Sequence, residues 1–261
     1  MSMKRFIVVL LLFAGIVLVA IYHFSNIPYY KHAEERSGLT VECHNDDTIR
    51  IAYVGDSWAD LYKRMPSTII HLISNATDRP VLLRIEGISG LNSKDIYYSF
   101  FDSNVRKVIE WGPDFCFVSA GINDTDRKVG SDCYKENMRL IISLLLKNNI
   151  TPILLEIPYY DICKSFSQSS FIVKLRALRS MLWTWSAMDC IDDYSNSYND
   201  LIGEQHWEDD VITIRRKQWN PDGYKDARGL YNEDGKHLNR KGYLVLDSCI
   251  ATSICLFLRA K

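Results

Sequence analysis

Apolar runs and amphipathic segments alternate along this chain from residue 48 onward. The uninterrupted apolar runs predict four strands, at Ile49 to Val54, Val81 to Ile85, Phe115 to Ala120 and Ile153 to Ile157. The amphipathic segments predict helices at Ala59 to Ser74 with a break at Pro66, Ser93 to Glu110, Asp132 to Lys147, Ser167 to Trp185 and Asn239 to Leu258. Strands that are apolar on both faces and alternate with helices favour a parallel sheet covered on each side.

The region between Ala187 and Asn232 interrupts this alternation. A short fifth strand is predicted around Ala187 to Asp192, and the periodicity is then lost from Asp193 to Asn232. The second stretch is rich in Asn, Asp, Tyr, Trp and Gly. Because long irregular segments in compact domains are usually functional loops, we expect this stretch to border a binding site; a solvated insertion is the alternative.

The N-terminus contains one long apolar segment. Phe6 to Ile21 is an unbroken run of apolar residues with Ala and Gly, and Lys4 and Arg5 precede it. A positive flank before such a run is typical of an export signal rather than of a buried core helix. We therefore predict a signal anchor or signal peptide at residues 1–22, with the uncleaved anchor favoured, then a linker at 23–47 and one domain at 48–261. Either form predicts an extracytoplasmic domain.

Composition and charge narrow the classes of partner. The chain has 261 residues, of which 47% are hydrophobic, and its formal net charge is −1. This balance gives no electrostatic reason to expect nucleic acid as a partner. None of the six histidines has the spacing to another His or Cys that would suggest a zinc site, so no metal is predicted.

The seven cysteines include no C-x-x-C motif. Cys116 lies in a predicted strand, Cys249 and Cys255 lie on the last predicted helix, and all three are expected to be buried thiols. An exported location would permit a disulfide among a second group, which comprises Cys133, Cys163 and Cys190.

Ser57 stands where the first predicted strand ends and a helix begins. In the segment Ile51-Ala-Tyr-Val-Gly-Asp-Ser-Trp58 the apolar run ends at Gly55. A serine at such a corner points out of the carboxyl edge of the sheet, beside the N–H groups of a helix N-terminus. That environment suits a nucleophile, although a serine hydroxyl needs a base to become one.

His237 is the histidine placed to act as this base. It lies in a loop before the last helix, and in a doubly wound fold that loop returns to the carboxyl edge of the sheet. Asp234, three residues upstream, can accept a hydrogen bond from one ring nitrogen and leave the other facing Ser57. The D-x-x-H pattern alone is a weak signal, because a surface helix cap often produces it.

Candidate donors for a developing oxyanion follow three strands. They are the N–H of Ser57, the N–H of Gly90 after the second strand, and the side-chain amide of Asn123 after the third. Each of these residue types is also common in turns, so none is specific when taken alone.

Together these blocks resemble the SGNH hydrolase superfamily, also called the GDSL-type esterases and lipases. The matching blocks are, in chain order, Gly55-Asp56-Ser57, Gly90, Gly121-Ile-Asn-Asp124 and Asp234-x-x-His237. Trp58 stands where the namesake motif has leucine. The order and spacing of the blocks also match, and the resemblance covers about Ile49 to Leu258.

The resemblance implies a three-layer α/β/α sandwich with a flavodoxin-like parallel sheet of about five strands. It implies a catalytic triad of Ser57, His237 and Asp234, with Ser57, Gly90 and Asn123 as oxyanion donors, and neither a metal nor an organic cofactor. The implied reaction is acyl transfer in two steps. Ser57 attacks an ester carbonyl, and water then releases the acyl group, with His237 as the base in both steps.

Two further aspartates of the matching blocks have structural roles under this resemblance. Asp56 is expected to order its loop or to cap the helix that follows it, and is not the triad acid. Asp124 is likewise expected to organise its loop and not to act as a base.

The nature of the ester is less constrained. Aromatic residues in and before the irregular stretch suit sugar rings as well as ordinary packing: Trp183, Trp185, Trp207, Trp219, Tyr224 and Tyr231. With an extracytoplasmic domain, they favour O-acetyl groups on a carbohydrate as the substrate. The alternatives are a lipase or lysophospholipase, which would need an open apolar groove, an acyltransferase acting on an envelope glycan, and an inactive carbohydrate-binding module.

Overall fold

The domain is built around one parallel sheet. The computed structural model describes residues 3–25, 31–65, 67–127, 129–160, 191–221 and 228–261, together with 167, 170–172, 174 and 175. The strands are β1 (Ile49–Gly55), β2 (Val81–Gly87), β3 (Phe115–Ser119), β4 (Thr151–Leu155) and β5 (Ile212–Ile214). They lie in the order β2-β1-β3-β4-β5, and every neighbouring pair is parallel. The predicted α/β class and five-stranded parallel sheet are confirmed.

Helices flank this sheet. The described helices are α1 (Met3–Ser25), α2 (Ser57–Tyr62), α3 (Ile69–Thr77), α4 (Ser93–Asp102), α5 (Asn104–Glu110), α6 (Ile122–Arg127), α7 (Ser131–Lys147), α8 (Ile191–Glu204), α9 (Arg216–Trp219) and α10 (Arg240–Ala260). Among them α7 packs against α4 and α8, while α10 packs against α3 and α9. The helices therefore form two groups, as a three-layer sandwich requires.

Burial explains why the central strands read as continuous apolar runs. All five residues of β3 are buried, and β1 is buried except for a partly exposed Arg50. The edge strand β2 instead has exposed positions, including Leu82. Strands covered by helices on both faces have no solvent side, so they do not alternate between apolar and polar residues.

One predicted helix is divided in two. The segment Ser93 to Glu110 forms α4 and α5, which meet at Ser103. Ser103 has an extended backbone, and its side chain accepts a hydrogen bond from the N–H of Val105. Serine is a favoured N-cap because its hydroxyl satisfies a donor that the first turn leaves unpaired, so the second helix begins here.

The prediction for the stretch after Ala187 is wrong in two respects. Ile191 and Asp192 open α8 and are not a strand, while residues 187–190 lie outside the described residues. Asp193 to Asn232 is not irregular, since it contains most of α8, the whole of β5 and α9. The buried residues of α8 recur at helical spacing, but several are polar or aromatic: Ile191, Tyr194, Ser195, Tyr198, Leu201 and Ile202. The predicted helix at Ser167 to Trp185 lies mostly outside the described residues.

The N-terminal apolar segment forms helix α1. Its 23 residues correspond to about 34 Å, enough to cross a hydrocarbon core of about 30 Å. The apolar side chains from Phe6 to Val19 are exposed, and none of the Met3–Ala20 window is buried. α10 is also long and apolar enough to span a membrane, but 39% of it is buried in the domain, as expected of a core helix.

Residues 31–47, called the strap here, contain neither helix nor strand and are attached to the domain. The N–H of Ala33 donates to Oδ1 of Asn137 at 2.7 Å, and Ala33 is buried. Further along, the N–H of Glu42 donates to the carbonyl of Glu110 at 2.9 Å. The segment predicted as a linker therefore includes a stretch that is fixed along the domain surface.

The cysteines divide between buried and partly exposed positions. Cys116 and Cys255 are buried, as expected, whereas Cys249 is only partly buried. Cys163 and Cys190, two of the three candidates for a disulfide, lie outside the described residues.

Candidate active site

The predicted site residues meet at the carboxyl edge of the sheet. Ser57 follows β1, Gly90 follows β2 and Asn123 follows β3, while the loop before α10 brings Asp234 and His237 to the same place. All five line one cavity of about 470 Å³. β2 lies on one side of β1 and β3 on the other, so the cavity is at the switch point of the sheet, where open α/β folds bind ligands.

A chain of hydrogen bonds joins the hydroxyl, the imidazole and the carboxylate. Nε2 of His237 lies 2.8 Å from Oγ of Ser57, and Nδ1 of His237 lies 2.6 Å from Oδ2 of Asp234. Burial pushes the pKa of Asp234 up, but hydrogen bonds from the ring and N–H of His237 and from the N–H of Lys236 bring it below its ordinary value. With Asp234 ionised, Nδ1 donates to it and Nε2 is left to accept the proton of Ser57.

The loop that holds Asp234 and His237 is fixed by its own backbone. Tyr231 and Leu238 form an antiparallel bridge, and the N–H of Asn232 donates to the carbonyl of His237 at 2.8 Å. Oδ1 of Asp234 accepts from the N–H of His237 at 3.0 Å, while its other oxygen holds the ring. The carboxylate therefore positions the histidine through both its backbone and its side chain.

The corner before Ser57 is held by Asp56. The carboxylate of Asp56 is the N-cap of α2 and accepts from the N–H of Trp58 at 3.0 Å, so the predicted capping role is confirmed. Trp58 is completely buried, with its ring centroid 5.9 Å from that of Trp219, and its carbonyl accepts from the hydroxyl of Tyr243. Tryptophan in place of leucine thus fills the core beneath the nucleophile.

Burial makes Asp56 sensitive to pH. It raises the pKa of this carboxyl from 3.8 to about 7, because low-dielectric surroundings disfavour its charged form. In the unfolded chain the group titrates near 3.8, so between about pH 4 and pH 7 the native state binds more protons than the unfolded state. Asp56 therefore lowers the free energy of unfolding as the pH rises through this window.

We expect Asp56→Asn to remove that contribution. Asparagine keeps an oxygen for the N–H of Trp58 but does not titrate, so lost contacts add only a pH-independent offset. The free energy of unfolding of the variant, relative to wild type, should rise from pH 4 to pH 7. Urea unfolding at several pH values measures this difference, and a difference that stays constant with pH would contradict the assignment.

The candidate oxyanion donors lie next to the hydroxyl but are held by other partners as well. Nδ2 of Asn123 donates to the carbonyl of Leu91 at 2.8 Å and lies 3.4 Å from Oδ2 of Asp56. The second contact is long for a hydrogen bond, so one amide hydrogen can still serve an oxygen in the cavity. Gly90 has φ +86°, which favours glycine, and its carbonyl accepts from the guanidinium of Arg127. Their oxyanion role stays a prediction.

A buried hydrogen-bond chain ties Asp124 to the strap. Both carboxylate oxygens of Asp124 accept from Ser93, from its N–H at 2.9 Å and its hydroxyl at 2.6 Å. The Ser93 hydroxyl accepts from Nδ2 of Asn137 at 2.9 Å, and Oδ1 of Asn137 accepts from the N–H of Ala33. Burial raises the pKa of Asp124 to about 6. Asp124 thus links the segments after β2 and β3, although it lies in α6 and not in a loop.

Three residues of the site were not predicted. Lys236 lines the cavity and forms an ion pair with Asp126, and Arg127 holds the Gly90 carbonyl. Lys236 is adjacent to His237 and could have been found from that position. The roles of Asp126 and Arg127 depend on contacts between segments distant in the chain, which the local pattern does not report.

The aromatic residues proposed for sugar binding are only partly suited to it. Trp219 is fully buried and Tyr231 is 8% exposed, so neither presents a face to a ligand; both pack in the core. Trp207 is partly buried against the core. Trp183, Trp185 and Tyr224 lie outside the described residues. Sequence pattern cannot distinguish a stacking aromatic from a packing one, because both occur near polar residues.

No metal centre is found among the described residues: no group of three or more His, Cys, Asp or Glu side chains there could hold an ion. The arrangement at the cavity instead suits nucleophilic attack by a hydroxyl with an adjacent imidazole base. Such a pair can transfer an acyl group without metal chemistry.

Comparisons with known proteins agree with this geometry. The model of the GDSL-like Lipase/Acylhydrolase family matches residues 53–245. No curated protein matches the chain.

Several solved structures share the fold. A GDSL-like lipase from Bacteroides thetaiotaomicron VPI-5482 is 15% identical, with a TM-score of 0.53 over 82% of this chain and 89% of the other. A lipase/acylhydrolase from Enterococcus faecalis is 17% identical, with a TM-score of 0.53 over 79% and 95%. An acetylxylan esterase from Geobacillus stearothermophilus is 16% identical, with a TM-score of 0.54 over 78% and 93%.

Proposed function

The chain belongs to the GDSL-like lipase/acylhydrolase family of ester hydrolases, and from that premise we propose that it cleaves short-chain esters through an acyl-enzyme on Ser57. The observation that supports this most directly is the contact chain from Oγ of Ser57 through His237 to Asp234, with separations of 2.8 Å and 2.6 Å. These are the distances at which a base can take a hydroxyl proton.

The reaction proceeds in two steps. His237 takes the proton of Ser57 as Oγ bonds to the ester carbonyl carbon, and Ser57, Gly90 and Asn123 stabilise the oxyanion. The intermediate collapses, the alcohol leaves with the proton from His237, and the acyl group stays on Ser57. Water then attacks the acyl carbon with His237 again as base, which releases the acid and restores the serine. Asp234 keeps the imidazole in the required tautomer throughout.

The cavity supports a small acyl group. Among the described residues that line it, Leu61 is the one aliphatic side chain; the others are Ser57, Ser89, Gly90, Asn123, Asn232, Asp234, Lys236 and His237. A long acyl chain would need an extended apolar groove to be desolvated. Polar groups such as Asn232 and Lys236 instead suit an alcohol with many hydroxyls, so an O-acetyl group on a carbohydrate is the proposed substrate.

Acyl-chain length is the sharpest test of this proposal. We expect 4-nitrophenyl esters from acetyl to dodecanoyl to show kcat/KM highest at acetyl and falling by about tenfold or more at long chains, because the added methylenes find no apolar surface. A maximum at long chains would contradict the proposal and favour a lipase. Including an acetylated glycan with a second glycan as acceptor would detect acyl transfer in place of hydrolysis.

The proposal extends to location. We infer that α1 anchors the protein in a membrane with the catalytic domain on the extracytoplasmic side. The observations in favour are the length of α1, its exposed apolar side chains and the positive charges of Lys4 and Arg5 at its start. Carbonate extraction of membranes from expressing cells tests this: an anchored protein stays in the pellet, and release of the protein into the soluble fraction would contradict the anchor.

A further inference from the structure

The strap begins at the active-site edge of the domain. Nζ of Lys94 donates to the carbonyl of Lys31 at 2.7 Å, and Lys94 lies in the first turn of α4, just after the carboxyl end of β2. Two residues on, Ala33 is joined through Asn137 and Ser93 to Asp124, the neighbour of Asn123. The start of the strap is thus fixed by buried contacts to the same rim that holds the candidate oxyanion donors.

The other end of the strap lies at the opposite edge. The N–H of Glu42 donates to Glu110 at the end of α5, and Nε2 of His44 lies 3.3 Å from Asp114, just before β3. From there the chain enters β1 at its amino end, at Ile49. The strap therefore runs down the domain from the active-site edge to the amino edge of the sheet.

The anchor helix is joined to the upper end of this strap by a short tether. Ser25 ends α1, and Lys31 is already held on the domain. Six peptide units can span at most about 22 Å when fully extended, at 3.6 Å per residue. The active-site edge is therefore the part of the domain tied closest to the helix, and the amino edge is reached only after the whole length of the strap.

We propose that the protein presents its active-site edge to the membrane and acts on esters borne by membrane-anchored molecules, such as an acetylated sugar on a lipid. This inference rests on the proposed esterase activity and on the proposed anchor. A tether of this length keeps the cavity near the lipid surface, where a membrane-borne ester has a high effective concentration. A domain tied through its amino edge would face away from that surface.

Lengthening the tether tests the proposal. The full chain, in vesicles, is compared with a variant that has about 30 Gly and Ser residues inserted between Pro28 and Tyr29, which adds roughly 30 Å of reach. A variant with the same Gly/Ser segment appended after Lys261 is the matched control. Each protein is given a soluble acetyl ester and an acetylated sugar attached to a lipid in the same vesicles.

We expect the long-tether variant to lose on the order of tenfold in rate on the lipid-borne ester, since effective concentration falls with tether length, and to keep its rate on the soluble ester. The C-terminal control should match wild type on both. Equal rates of wild type and long-tether variant on the lipid-borne ester would overturn the proposal, as would equal losses on both esters. Absence of turnover of the soluble ester by every protein would instead remove the esterase activity, and the inference with it.

Discussion

Ser57→Ala is expected to reduce kcat for an activated acetyl ester by about 10⁴- to 10⁶-fold. The change removes one oxygen, whose recorded partner is Nε2 of His237 at 2.8 Å, and leaves the base with no nucleophile to activate. No covalent intermediate can then form, and the residual rate comes from binding and oxyanion stabilisation alone. Steady-state hydrolysis of 4-nitrophenyl acetate measures the loss, and a fluorescent fluorophosphonate should label wild type but not the variant.

Ser89→Ala provides a matched control. Ser89 lines the same cavity, but its hydroxyl donates to Asp60 at 2.8 Å and it is not one of the partners of His237. This variant should retain fluorophosphonate labelling and activity within about tenfold. The Ser57→Ala protein should unfold at the same temperature as wild type, because the hydroxyl is at the cavity wall. Undiminished hydrolysis by a folded Ser57→Ala protein would exclude Ser57 as the nucleophile.

Asp234→Asn is expected to lower kcat by about 10⁴-fold with little change in KM. Asparagine can keep an oxygen for the N–H groups of Lys236 and His237, but its amide then faces Nδ1 of the ring with a donor. The imidazole responds by placing its proton on Nε2, where it can no longer accept the proton of Ser57. The loop stays folded while the histidine adopts the wrong tautomer.

The control for this variant is Asp60→Asn. Asp60 is a carboxylate near the cavity that accepts from Ser89 and does not touch His237. Its replacement should leave kcat within about tenfold, which would show that loss of a nearby negative charge is not sufficient. A fall in kcat of less than tenfold in Asp234→Asn would mean that Asp234 does not orient the base.

The strands of the sheet could be predicted because burial on both faces leaves a direct trace in the sequence. Ile49 to Val54 and Phe115 to Ala120 are apolar without interruption, and the structure places β1 and β3 at these positions. The short strand Ile212–Ile214 contains a threonine and only three residues, too few for a periodic signal. Helix α8 was missed because tyrosines such as Tyr194 and Tyr198 fill core positions, where a pattern based on aliphatic residues finds nothing.

The site divides in a similar way. Ser57, Asp234 and His237 could be identified because each lies in a short motif, and the proximity of Asp234 to His237 follows from a spacing of three residues. The link between Arg127 and the carbonyl of Gly90 is a contact between two loops, and nothing local indicates it. Whether Trp219 faces a ligand or the core likewise depends on packing from other segments.

The order of the site residues along the chain has a consequence for how the protein matures. Ser57 and His237 are 180 residues apart, so at synthesis rates of about 5–20 residues per second the base follows the nucleophile by roughly 9–36 s. Until residue 237 has emerged and α10 has docked on α3, the nascent polypeptide has a serine but no partner to activate it. Catalysis is thus deferred until biosynthesis is almost complete, and recovery of turnover after dilution from denaturant reports the arrival of the C-terminal segment.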